Sequence, residues 1–112
     1  MEKRFRIKKE GTFNYVFKKG TRYSTDNLVL IAAPSKEGLK FGLSVSKKCG
    51  KAVIRNKIKR RLRMIITEII PTLGNSTLYV ILAKPTIADA SYQDLEKEVK
   101  TVFENEAKEN KV

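Results

Sequence analysis

The stretch from Lys47 to Arg63 limits most what this chain can become: it holds nine Lys or Arg residues, and no acid occurs between Gly38 and Thr67. A run this cationic ordinarily stays unfolded, because like charges repel and too little apolar surface remains to offset the lost chain entropy. Here, however, Ile54, Ile58, Leu62, Ile65, Ile66 and Ile69 recur at the spacing of one helical face. The spacing predicts a helix over residues 53–70 with a continuous apolar stripe, stopped by Pro71. At about 100° per residue the stripe fills roughly 120° of the circumference. The rest is cationic: Arg55, Lys59 and Arg63 lie along one edge, Asn56 and Arg60 beside them, and Lys57 and Arg61 on the far side. Each like-charged i, i+4 pair costs an isolated helix about 0.2–0.5 kcal/mol. Burial of the stripe, at about 25 cal/mol per Å², and a polyanion bound against the opposite side would offset that cost. The plain alternative is a solvated helix whose charges serve solubility alone, which would not require so long a stretch without an acid.

The chain has 112 residues, enough for one small domain with a modest core. No apolar run approaches the length of a membrane span, and no hydrophobic signal segment follows the basic N-terminus, so the expectation is a soluble, cytoplasmic protein. The single Cys49 cannot form an internal disulfide, and with no His the usual metal sites, acid-base relays and His-assisted nucleophiles are excluded. Cys49 reads as a small filler at the start of a turn, the alternative being a thiol activated by Lys47, Lys48 and Lys51. Charge is uneven: residues 1–88 carry +15 and residues 89–112 carry −3, within a net +12. A polyanion would approach the first three quarters of the chain.

In order, residues 1–9 form a basic arm able to drape over the domain or an RNA backbone. A short helix is predicted over residues 10–19, with Phe13, Val16 and Phe17 on one face and Gly20 at the C′ position. Phe13 and Phe17 read by default as core; exposed beside a basic surface they would instead stack on unpaired bases. Residues 21–24 read as a short edge strand, and residues 28–33 as a strand whose turn through Ser35 to Gly38 leads into a hairpin partner over 39–46. In that partner Phe41, Leu43 and Val45 would face the core. Lys40, Gly42, Ser44 and Ser46 would make an outward floor over which a chain could lie, or ordinary solvated sheet. Residues 77–83 read as a mostly buried central strand. A last helix over about 91–110 leans acidic, is capped by Ser91 with Asp94 three residues on, and keeps its acids off its apolar face. The whole predicts a single domain of class α/β (α+β), a sheet of about four strands with three helices, in the order α-β-β-β-α-β-α. A parallel strand-helix-strand crossover would ordinarily be right-handed.

The stretch Gly42-Leu43-Ser44-Val45-Ser46-Lys47-Lys48, with Gly50, Ala52-Val53, Arg55-Asn56, Lys59-Arg60 and Arg63, resembles the signature of the bacterial ribonuclease P protein subunit. Phe13, Val16-Phe17-Lys18 and Gly20 upstream and Leu82-Ala83-Lys84-Pro85 downstream extend the match over nearly the whole chain. The resemblance implies a left-handed crossover, opposite to the general rule. It implies a non-catalytic subunit of an endoribonuclease, one that binds a catalytic RNA and helps it remove the 5′ leader of precursor tRNA. Lys47, Lys48, Lys51, Arg55, Asn56, Lys57, Arg60 and Arg61 would then contact the catalytic RNA. A cleft between the first helix, the sheet and the basic helix would hold the leader, through Phe13, Phe17, Ile31, Ser44, Ser46, Asn56, Lys59 and Arg63. Two departures stand out. Lys57 replaces the family's usual second Arg and lacks its planar fork, and Ile31 replaces a frequent aromatic. Magnesium ions would sit on the RNA, since the chain lacks a recognisable carboxylate cluster for them. The catalytic RNA and precursor tRNA are the expected partners, with no membrane and no obligate protein partner. The rivals are a ribosomal or chaperone-like RNA-binding domain, a DNA-architectural protein and, more remotely, a cationic membrane-surface peptide.

Overall fold

The computed structural model describes residues 2–109. Four strands, β1 (Thr21–Ser24), β2 (Leu28–Pro34), β3 (Lys40–Ser44) and β4 (Thr77–Ala83), form one sheet. Three helices, α1 (Glu10–Lys19), α2 (Ala52–Ile69) and α3 (Tyr92–Glu109), pack on it. The predicted order of elements holds, and residue 110 of the last predicted helix lies outside the described residues. No described helix is long and apolar enough to cross a membrane.

The predicted hairpin does not form. The spatial order is β1-β2-β4-β3, with β4 antiparallel to β2 and parallel to β3. The turn chemistry is nonetheless real: Ser35 Oγ donates to Gly38 O at 2.6 Å and accepts from Glu37 N at 3.1 Å, and Gly38 sits at φ +92°. Apolar demand decides the topology. All of β4 except Thr77 and Leu82 is buried, so it needs a strand on each side, and the chain leaves room for it between β2 and β3.

The two faces carry separate cores. On one, Val16 of α1 is wholly buried with Ile7, Ile31, Ala33, Leu78 and Val80. On the other, α2 inserts Ile58, Leu62, Ile65 and Ile66, and α3 packs beside it around a ring cluster of Phe41, Tyr79 and Phe103. Centroid separations in that cluster of 4.9–6.0 Å are the favourable range for aromatic pairs. The α2 stripe stops short of its predicted length: Ile54 is 39% exposed, because the first helical turn runs past the core and packs on Gly50 instead. Gly20 also differs from expectation. Its φ is −76°, so no left-handed cap is made, but a Cβ there would strike Ile31 and come within 2.6 Å of Val16 O. Glycine is needed for the close approach of α1 to β2.

At α3 the capping box forms as predicted, Asp94 N donating to Ser91 Oγ at 3.0 Å and Ser91 N to Asp94 Oδ2 at 3.4 Å. One acid does face inward: Glu106 is buried and accepts a hydrogen bond from the Tyr79 hydroxyl at 3.3 Å. Burial, reinforced by that carboxylate, pushes the Tyr79 hydroxyl up to about 12. Cys49 is buried with its thiol near Ala83 O and Lys84 O, which supports the filler role.

Candidate nucleic-acid interface

Strand register sorts the α1 face into transverse rows. Arg22, Ile31, Val80 and Gly42 pair in one row, and Ser24, Val29, Leu82 and Ser44 in the next. Residues two apart on a strand share a face, so both rows lie on the α1 side. α1 roofs the first row, burying Ile31 and Val80 completely, and the Phe13 ring rests on Gly42, where an added Cβ would lie 2.6 Å from Cζ. None of the residues in the second row is buried. It is an uncovered strip about 14 Å across four strands, with two aliphatic side chains between two serines. At its β1 end, Lys84 Nζ donates to Ser24 Oγ at 2.8 Å and Thr25 O at 2.6 Å.

Phe13 and Phe17 are each half-buried, packed against the α1-side core with part of their surface open to solvent, a placement that leaves both readings of their spacing open. Ser44 is half-buried and Ser46 exposed. Ile31 must be removed from the expected leader-binding set, because a side chain with no exposed surface under α1 cannot touch a bound chain. Val29, read only as part of a hairpin strand, and Leu82, read as part of a mostly buried central strand, supply open apolar surface in the next row.

The basic helix lies on the opposite face. α2 therefore does not confront α1 across one floor; its Asn56, Lys59 and Arg63 share a flank of the helix, and Arg63 meets the outer edge of β3, where Arg6 bridges to Phe41. Lys47, Lys48, Lys51, Asn56, Lys57 and Arg60 are exposed, Arg61 partly so. Arg55 is partly committed, its Nε donating to Gly50 O at 3.2 Å. Gly50 adopts φ +135°, a conformation that favours glycine, as the chain turns from the 3-10 turn Lys47–Cys49 into α2. The N-terminus of α2 has no side-chain cap and no acid in its first turn, which leaves its N–H groups and partial positive charge directed at any approaching anion.

Almost none of this charge is neutralised internally. Among the described residues the ion pairs are Arg4–Glu2, Lys40–Glu37 and Lys100–Glu96, none of them on α2. The acids of α3 work elsewhere: Glu98 accepts from Asn27 N and Nδ2, both at 2.8 Å, and Glu106 from Tyr79. No group of three or more His, Cys, Asp or Glu side chains able to hold a metal ion occurs among the described residues.

Fold and surface together define a small α/β domain with an aliphatic-backed cationic helix on one face and an aromatic-edged open strip on the other. The protein-family model described as Ribonuclease P matches residues 1–106. A ribonuclease P protein component of Bacillus cereus (strain AH187) is 39% identical over 105 residues, covering 92% of this chain and 91% of the relative. One from Bacillus anthracis (strain CDC 684 / NRRL 3495) has the same identity over 92% of this chain and 88% of its own. Among solved structures, a Staphylococcus aureus RNase P protein mutant with defective mRNA degradation activity superposes with a TM-score of 0.88 at 30% identity, covering 96% of this chain and 92% of its own. The RNase P protein from Thermotoga maritima, at 20% identity and a TM-score of 0.77, shares the fold over 86% of this chain and 92% of its own. The chain belongs to the ribonuclease P protein component family.

Proposed function

We propose that this chain is the protein subunit of a ribonuclease P holoenzyme, binding the catalytic RNA and the 5′ leader of precursor tRNA in the cytoplasm while the RNA cleaves the leader off. The observation that carries the reading is the pairing of two surfaces: the α2 rod, whose cations form no ion pair among the described residues, and the uncovered strip beside Phe13 and Phe17. On the rod and the turn before it, Lys47, Lys48, Lys51, Arg55, Asn56, Lys57, Arg60 and Arg61 neutralise phosphates of the catalytic RNA, and each neutralised phosphate releases counterions. On the strip, Phe13, Phe17, Val29 and Leu82 hold leader bases without regard to sequence, an aromatic stack contributing about 1–3 kcal/mol per base. Ser44, Ser46, Asn56, Lys59 and Arg63 supply polar contacts along the β3 side. The described residues offer no carboxylate cluster for magnesium, so the metal ions belong to the RNA in this reading, and the protein contributes charge neutralisation and substrate hold.

The test is precursor tRNA cleavage by the catalytic RNA at low magnesium, with and without the protein, beside a binding competition between leader-bearing and mature tRNA. Stimulated cleavage and preferential binding of the leader-bearing form are expected. Equal affinities for the two tRNAs would remove the leader-binding role and leave a general RNA-binding domain.

A further inference from the structure

α3 does not lie flush on the sheet along its whole length. Near its C-terminal end a groove of about 730 Å³ opens between the helix, the β1 side of the sheet and the turn that follows α2. The transverse row Thr21, Ala32 and Tyr79 forms the floor, Leu73 one wall, and Glu106 with Ala107 the other. Ala32 is the small member of that row, which leaves the space above it unfilled. No Lys or Arg lines the groove, although the chain carries 24 of them in 112 residues. Depressions elsewhere on the surface are bordered by Lys18, Lys36 or Lys97. Here the charged wall residue is Glu106, only 6% exposed, whose carboxylate accepts from the Tyr79 hydroxyl at 3.3 Å. One helical turn on, Glu109 faces Tyr23: burial, and then a hydrogen bond to Glu109, holds that hydroxyl above its usual range. Two carboxylates three positions apart, each braced by a tyrosine, thus share one flank of α3, with Cβ atoms about 5–6 Å apart. Lys108 falls between them in sequence and therefore off that flank. The net charge of the chain does not decide the local field, because at physiological salt exposed charges beyond about 8 Å are largely screened.

The lining selects a ligand class. An ammonium group carries three donors and no acceptor, the complement of a carboxylate beside hydroxyls. Methylenes suit the aliphatic surface of Ala32, Leu73 and Ala107. A hard divalent cation demands more oxygen ligands at fixed distances, and no group of three or more acids able to hold one occurs among the described residues. We propose that this groove binds an aliphatic diammonium ion, one ammonium at Glu106 and the other at Glu109, with the methylene chain between them on Ala32 and Leu73. The groove adjoins Leu73, beyond the C-terminal end of α2, whereas the acid-free cationic stretch lies at the other end of that helix. Occupancy therefore leaves the polyanion-binding surface open, ties α3 to β1 and to the turn after α2, and does not depend on the function proposed above.

The test titrates the full-length protein with putrescine dihydrochloride, a four-carbon diammonium salt, at ionic strength held constant with sodium chloride. Heat of binding and thermal midpoint are followed for wild type, Glu106→Gln, Ala107→Lys and the control Lys36→Gln. Wild type and Lys36→Gln should bind and gain midpoint. Glu106→Gln removes one carboxylate and Ala107→Lys places a tethered ammonium in the groove, so each should bind more weakly by about tenfold or more. If Glu106→Gln fails to fold, Ala107→Lys, at an exposed helix position, still decides. Butylammonium chloride, with a single charge, should bind wild type about tenfold more weakly than putrescine, and magnesium chloride should give no response that Ala107→Lys abolishes. A wild-type response to putrescine no greater than to sodium chloride, or an Ala107→Lys response equal to wild type, overturns the site. Equal affinities for butylammonium and putrescine overturn the pairing of Glu106 with Glu109, and a magnesium response lost in Ala107→Lys overturns the ligand class.

Discussion

Gly42→Ala tests whether Phe13 is a positioned wall of the strip or a passive cover. The glycine is not at positive φ, so alanine meets no backbone strain and the whole effect comes from space. Its Cβ would run onto Phe13 Cε1, lie 2.6 Å from Cζ and meet Ile7 Cδ1 at 3.3 Å. Carbon atoms settle at about 3.5–4.0 Å, so the ring must shift by about 1 Å. A fully enclosed ring could not yield, but this one is half-buried and can swing outward. The expected cost is therefore that of moderate overpacking, about 1–3 kcal/mol in urea unfolding. Phe13→Ala should cost less than the roughly 3–5 kcal/mol typical of a fully buried Phe. In the double variant the added methyl fills space the ring has left, so the two effects should couple by more than about 1 kcal/mol. Affinity for leader-bearing tRNA should fall in Gly42→Ala while that for mature tRNA holds. A Gly42→Ala protein within about 0.5 kcal/mol of wild type, or an additive cycle, would refute the contact.

Two further outcomes are open to direct measurement. Leu62→Ala, at a wholly buried α2 position, should lose about 2–5 kcal/mol, whereas Val53→Ser, 80% exposed on the same helix, should stay within about 0.5 kcal/mol; equal losses in urea unfolding would mean that α2 is docked the other way round. Tyr79 keeps its proton more firmly when folded, at about 12 against 10.0, so the stability it contributes is complete below pH 10 and is lost as the pH climbs toward 12. Urea midpoints taken between pH 8 and about 11 should fall more steeply in wild type than in Tyr79→Phe, and parallel curves would contradict the assignment.

How much could be read beforehand divides along physical lines. Periodicity located α1, α2, α3 and β4 closely, because each buries one face or both against a core, and the pattern that drives burial is written in residue order. The hairpin failed because turn residues are local while strand order is not. Ser35 to Gly38 announces a reversal but does not say whether the returning strand pairs at once or leaves a place for Thr77–Ala83. Ile31, which the resemblance placed in the cleft, failed for a related reason: residue order gives it a strand, and only the seat of Val16 and Gly20 against β2 decides that α1 roofs this row and not the next. Glu106 broke the expected segregation of acids on α3 because a tyrosine hydroxyl from β4 waits for it in the core.

The placement of Thr77–Ala83 between Leu28–Pro34 and Lys40–Ser44 also sets the order in which the molecule can be assembled during synthesis. When the ribosome has released the chain only through Ile69, two strands that end up flanking a common neighbour have none, and each shows the nascent protein's surroundings an unsatisfied backbone edge. The interior closes only when a segment made more than thirty residues after the end of β3 slides in between them. Such late, long-range closure slows folding relative to a helical protein of equal size, and half-made chains, already densely cationic, are the form in which this protein is most exposed to aggregation or to premature capture by polyanions.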